Sequence, residues 1–166
     1  MTQAPQLSPA EHYARRGKMI AGAGLIIRDQ HARVLLVHTT YGAKLWELPG
    51  GGLEPGEFPP AGAEREVTEE IGLDVKAGNL LVADLVPYTL PDGQPALLTN
   101  WLFDGGIVEP DQIRPDLAEV DEARFCTPAD CHELLPPHMA RRIDHCLEAL
   151  RTRQPLYLHH GYLPTS

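Results

Sequence analysis

Residues 51–73 read GGLEPGEFPPAGAEREVTEEIGL and carry four glutamates, Glu57, Glu66, Glu69 and Glu70, behind the glycine run Gly50-Gly51-Gly52. The pattern predicts a helix over 59–71. Prolines are tolerated in its first turn, where a missing N–H costs nothing, and Gly72 is placed to end it in the left-handed conformation. At about 100° per residue, Glu66, Glu69 and Glu70 share an arc of roughly 100°, while Ala63, Val67 and Ile71 lie on the adjoining arc and face a core. Arg65 points away from the glutamates and reaches back toward Glu57. One helix thus has a packing face, an ionic brace and a carboxylate face.

Working outward, 19–27 and 34–37 read as strands joined through the turn Asp29-Gln30-His31-Ala32, a hairpin pattern. Trp46-Glu47-Leu48 is a short strand stopped by Pro49 and the glycines. Beyond the helix, 80–88 and 96–103 read as strands around the turn signal Pro91-Asp92-Gly93, and 122–126 as another. Residues 128–134 and 137–153 read as helices; in the second, Met139, Ile143, Cys146, Leu147 and Leu150 recur at helical spacing. Strands before and after a central helix, followed by a terminal helix, predict an α/β fold: a mixed central sheet between helices, an α/β/α sandwich. The expected organisation is a flexible arm over 1–17, one domain over 18–153 and a docked tail over 154–166, because 156–163 is too apolar to hang free.

The 166 residues suit one domain with a core that needs no disulfide or structural metal. Lys and Arg total 14 against 23 Asp and Glu, a formal net charge of −9. Such a surface disfavours nucleic-acid polymers and anionic membranes. No apolar run approaches the roughly 18 residues of a membrane span. Three cysteines without a CxxC pair and no apolar leader point to a reduced, cytoplasmic setting.

Glutamate is a good helix former, and EREVTEE alone is most simply a solvated face. Two features argue otherwise. Like charges at i, i+4 cost a few tenths of a kcal/mol each, and bare glycine backbone directly before the helix lets a ligand approach closely. Clustered carboxylates plus a loop carbonyl make an all-oxygen site suited to Mg²⁺ or Mn²⁺.

The segment resembles the Nudix box, G-x5-E-x7-R-E-U-x-E-E-x-G-U with U a bulky aliphatic residue. Gly51, Glu57, Arg65, Glu66, Val67, Glu69, Glu70, Gly72 and Leu73 occupy every fixed position. The resemblance implies an α/β/α sandwich with the box as loop–helix–loop, and metal-dependent hydrolysis of a nucleoside diphosphate linked to a group X. It implies Glu66 and Glu70 as main metal ligands, Glu69 as a further ligand or water-positioning carboxylate, a main-chain carbonyl of Gly50 or Gly51 as another, and Glu57 with Arg65 as the brace. Members differ in their catalytic base. Here the acidic run 119–122 resembles the late segment that supplies one, with Glu122 the first choice and Glu119 the next.

The substrate is expected to be a small nucleotide diphosphate: ADP-ribose or a nucleotide sugar, or a (d)NTP including oxidised forms. Tyr41, Lys44 and Trp46 are weak candidates to touch it, and core packing is the simpler role for Trp46. Arg141 and Arg142 read as solvated helix charges. The resemblance also allows for a homodimer. The alternative is a noncatalytic nucleotide-sensing module of the same fold, which the complete set of box glutamates disfavours.

Overall fold

A computed structural model describes residues 8–40, 42 and 45–165. Its strands are β1 (Lys18–Arg28), β2 (Val34–Thr39), β3 (Trp46–Glu47), β4 (Gly50–Gly52), β5 (Leu80–Thr89), β6 (Pro95–Ile107), β7 (Val120–Cys126) and β8 (Leu156–His159). Its helices are α1 (Pro9–Ala14), α2 (Pro59–Ile71), α3 (Pro128–Leu134) and α4 (Pro137–Thr152). All strands join one mixed sheet in the order β3-β2-β1-β6-β5-β8, with β4 also on β1 and β7 also on β2.

Alternation along the two most buried strands sets the layers. Leu25 and Ile27 of β1, with Leu35 and Val37 of β2, point to one face and meet Ala63, Val67 and Ile71 of α2. On the opposite face Ile26 packs with Val82, Leu102, Leu158 and with Cys146 and Ala149 of α4, while Val34 and Leu36 pack with Cys131, Ala140 and Ile143. A side chain of this kind contributes about 1.5–3 kcal/mol when fully buried. With both faces covered, VLLV reads as a continuous apolar run. The expected α/β/α sandwich is the architecture observed. Among the described residues no helix is long and apolar enough to cross a membrane.

Three features go beyond the sequence reading, and the first of them shapes the site. The β1–β2 hairpin is nearly absent: the strands pair at Arg28↔Val34, after which β1 runs parallel to β6 and takes β4 on its other edge, while β2 pairs with β7. This divergence leaves room for the 48–52 loop to lie against β1. The end of the chain adds β8, parallel to β5 from Val82↔Leu156 to Leu85↔His159. Before β1, α1 is a single exposed helix turned at Ser8, whose hydroxyl and backbone N–H bond Glu11 in a capping box.

Candidate active site

Helix α2 spans Pro59–Ile71 and is closed by Gly72 at φ 68°, ψ 16°. Its second half lies against β4 through Arg65, Glu66 and Glu70, and there Gly50, Gly51 and Gly52 pair with Gly24, Ala23 and Gly22 of β1. Gly50 is required here by close approach: at φ 145° a Cβ on it would fall 2.3 Å from the Ala23 carbonyl oxygen, while a Cβ on Gly51 would fall 2.6 Å from the Glu66 carboxylate. The box loop and the box helix therefore meet through a carboxylate laid on bare backbone.

Arg65 organises one side of this junction. Its Nε donates to Glu57 Oε1 at 2.9 Å and its Nη2 to Glu57 Oε2 at 2.9 Å and the Gly52 carbonyl at 3.1 Å. The fork holds the Glu57 carboxyl down at about 2. Glu57 also accepts from the Glu54 backbone N–H, so loop and helix are tied at both ends. The brace forms, but Arg65 does not point away from the other glutamates. Its Nη1 donates to Glu66 Oε1 and Glu69 Oε2, each at 2.9 Å, because the long side chain lies along the helix between them.

Glu70 occupies a different environment. It is 2% exposed, and its Oε2 accepts the Gly50 N–H at 3.0 Å. Burial, together with the nearby charges of Glu66, Glu47 and Glu119, pushes its carboxyl up to about 8, against the pull of the Gly50 hydrogen bond. Burial raises Glu47 as well. Glu47 is a site residue that sequence reasoning passed over; the available signal was an acid in a short strand directly before the glycine loop.

The expected carboxylate cluster is thus divided. Glu66 and Glu69 turn to Arg65 and Glu70 turns to Gly50, and among the described residues no three acidic, histidine or cysteine side chains stand together at metal-binding spacing. The donor set nevertheless fits a hard divalent cation. Glu70 is a buried carboxylate with like charges around it and one N–H to satisfy it, and every nearby donor is oxygen. A cation drawing Glu66 toward Glu70 would replace Arg65 Nη1 as its counter-charge.

Of the two loop acids, the structure brings Glu119 to this group and does not bring Glu122. The 114–120 segment docks on the end of α2 through Arg114 N–H to the Ile71 carbonyl and Asp116 N–H to the Glu70 carbonyl, both 2.8 Å. Thr40 N–H then holds the Glu119 carbonyl at 2.9 Å. Glu122 lies within β7, opposite His38, with its exposed carboxylate 3.8 Å from Arg124. A bulge in β7 opposite His38 and Thr39 puts Val120, Ala123 and Phe125 all on the α2-side core, so Glu122, next to Ala123, turns to the other face, off the site.

Trp46 is not a free stacking platform. Its ring meets His38 at 5.3 Å between centroids, and the Arg124 guanidinium covers its face at 4.6 Å. Trp101 packs against the α2-side core. Tyr41 and Lys44 lie outside the described residues. Arg142, read as a solvated charge, is instead buried against Asp84, Nε to Oδ2 2.7 Å, a partner on β5 that no helix-face reading reveals.

The NUDIX domain family model matches residues 18–149. The chain belongs to the NUDIX family. Among curated relatives of this Nudix protein, diphosphoinositol polyphosphate phosphohydrolase 2 of Mus musculus is 44% identical over 70 residues, covering 42% of this chain and 39% of that protein. The 8-oxo-dGTP diphosphatase of Proteus vulgaris is 36% identical over 91 residues, 51% of this chain and 79% of that one. The Nudix chain therefore matches only about two fifths of the length of the first of these. A crystal structure of a MutT protein from Methanosarcina mazei Go1 superposes with a TM-score of 0.65 at 24% identity, over 82% of this chain and 96% of that chain, a likeness of fold.

Proposed function

We propose that the protein is a Mg²⁺- or Mn²⁺-dependent cytoplasmic hydrolase that cleaves the diphosphate linkage of a nucleoside diphosphate joined to a further group, by attack of water at phosphorus. The observation that carries this reading is Glu70: a buried carboxylate, surrounded by like charges and hydrogen-bonded to the glycine loop, in a Nudix chain with every box glutamate in place.

Bound among Glu66, Glu70, Glu69 and a carbonyl of Gly50 or Gly51, the cation would neutralise the diphosphate oxygens and make a water more acidic. The residues do the rest. Glu57 and Arg65 fix the loop against the helix, so the carboxylates hold their relative positions. Gly50 N–H aims Glu70. Glu119, on the segment docked at the end of α2, is the acid we assign to accept the proton of the attacking water.

A screen of phosphate release from nucleotide-linked diphosphates tests the function, run with Mg²⁺ or Mn²⁺ and with chelator. Turnover that needs the cation is expected; failure to cleave any such compound would count in favour of a noncatalytic nucleotide-binding module. Within that screen, Glu119→Gln lowers kcat by about 10²–10⁴-fold, the usual contribution of a positioned base, whereas Glu122→Gln changes it less than about tenfold. The reverse ranking would return the role to Glu122.

A further inference from the structure

On the α4 side of the sheet, between the 48–52 loop and α4, lies a cleft of about 230 Å³. Ile20, Leu48, Leu98 and Met139 make it largely apolar, and Gly22 and Gly24 keep part of its floor flat. It opens beside Gly50 and Gly51, so a nucleotide whose diphosphate sits at the box extends naturally into it.

Three polar side chains break the apolar lining: Glu47 next to the glycine loop, Arg142 and Asn100. Arg142 spends its Nε on Asp84 Oδ2 at 2.7 Å. Asp84, wholly buried, also accepts the Gly161 N–H on both oxygens at 3.0 and 3.1 Å, so β5, α4 and the turn after β8 fix the guanidinium in place. Among the described residues neither Nη group of Arg142 makes a hydrogen bond, nor does the side-chain amide of Asn100. Asn100 is the cross-strand partner of Asp84 and adjoins Gly22 in the parallel register, which puts it beside the Arg142–Asp84 pair. The cleft therefore offers apolar walls, a fixed fork of donors, and an amide that both donates and accepts.

We propose that this cleft is a base pocket for a 6-oxopurine of the guanine type, with Arg142 and Asn100 as the residues that set specificity; this rests on the reading of the chain as a nucleotide hydrolase. A guanidinium has only donors. Guanine presents two adjacent acceptors, O6 and N7, that match a fork. Adenine and cytosine put an exocyclic amine where the fork requires an acceptor. Oxidation of guanine at C8 places a hydrogen on N7 and removes one of the two acceptors. A second polyanionic group, such as a phosphorylated inositol, suits the cleft poorly: its cation is already neutralised by Asp84, Glu47 is part of its lining, and its remaining walls are apolar.

The test is equilibrium binding of GDP, ADP, UDP and 8-oxo-GDP to the full chain with Mg²⁺, read by calorimetry. GDP binds at least about tenfold more tightly than ADP or 8-oxo-GDP, the usual discrimination of a bidentate pair. Asn100→Ala brings the GDP-to-ADP ratio toward one. So does the paired change Asp84→Leu with Arg142→Met, which removes the fork without stranding a buried charge. Equal affinities, a preference for ADP, UDP or 8-oxo-GDP, or a ratio unmoved by both variants would overturn the pocket. A GDP preference without turnover of any guanine nucleotide would support the pocket and overturn the hydrolase reading alone.

Discussion

Glu70→Gln lowers kcat by about 10³-fold or more in saturating Mg²⁺, and it raises the melting temperature of the metal-free protein. Both effects follow from one carboxylate. If Glu70 holds the cation as proposed, losing this anionic ligand removes several kcal/mol of charge stabilisation at the transferred phosphoryl group. In the absence of metal the same charge is a burden. The folded-state carboxyl is pushed up to about 8 against an ordinary 4.5. Below about pH 4.5 it is protonated in both states and costs nothing. Between 4.5 and 8 the unfolded chain releases the proton while the folded chain keeps it, so stability falls as pH rises, by about 1.4 kcal/mol per unit. Glutamine keeps an acceptor for Gly50 N–H and carries no charge. At pH 8 the gain in the metal-free protein is on the order of 2–4 kcal/mol, or roughly 4–16 °C for a domain of this size. The stabilisation of the wild type by millimolar Mg²⁺ grows across the same pH range. Thermal melts at pH 5, 6.5 and 8, with and without metal, check all three points; a Glu70→Gln protein less stable than wild type at pH 8 without metal would show that the carboxylate is not under electrostatic load.

Asp84→Ala destabilises the fold by about 3–5 kcal/mol, because it leaves Arg142 buried without its counter-charge. It also strips the acceptor from Gly161 N–H, which loosens the turn beyond β8. The melting temperature drops by roughly 6–20 °C. Replacing both partners, Asp84→Leu with Arg142→Met, recovers most of that loss, since an apolar pair of similar volume avoids the desolvation of two charges. Urea unfolding of the wild type, Asp84→Ala and the double variant measures the ranking. A single variant as stable as wild type would mean that Arg142 finds enough water to stand alone.

The parts of this protein that were legible in its sequence are those set by local pattern. Helix α2 was readable from Pro59, the Ala63, Val67, Ile71 stripe and Gly72, and it ends at the residues expected. The brace from Arg65 to Glu57 was readable from the box spacing. The parts that were not legible depend on contacts between distant residues. Nothing in LIIR or VLLV states that β1 leaves its hairpin partner to run beside β6, since that pairing is decided by the layers above and below. Arg142 sits at a polar-looking helix position, and its burial depends on Asp84, 58 residues earlier. Glu122 against Glu119 turned on a bulge between Val120 and Glu122, set by the pairing of β7 with β2, which the run of acids does not encode. The tail carried a usable signal, Leu156 and Leu158 alternating with Tyr157 and His159, the period of a half-buried strand.

The most direct test of a metal-dependent Nudix active site is Mn²⁺ binding followed by electron paramagnetic resonance at pH 8, alongside hydrolysis of a guanine nucleotide, for the wild type and the Glu66→Gln, Glu70→Gln double variant. The wild type is predicted to bind Mn²⁺ and to hydrolyse only when it is present, and the double variant to lose both. Hydrolysis that continues in chelator, or Mn²⁺ binding and turnover that survive the two substitutions, would contradict the assignment.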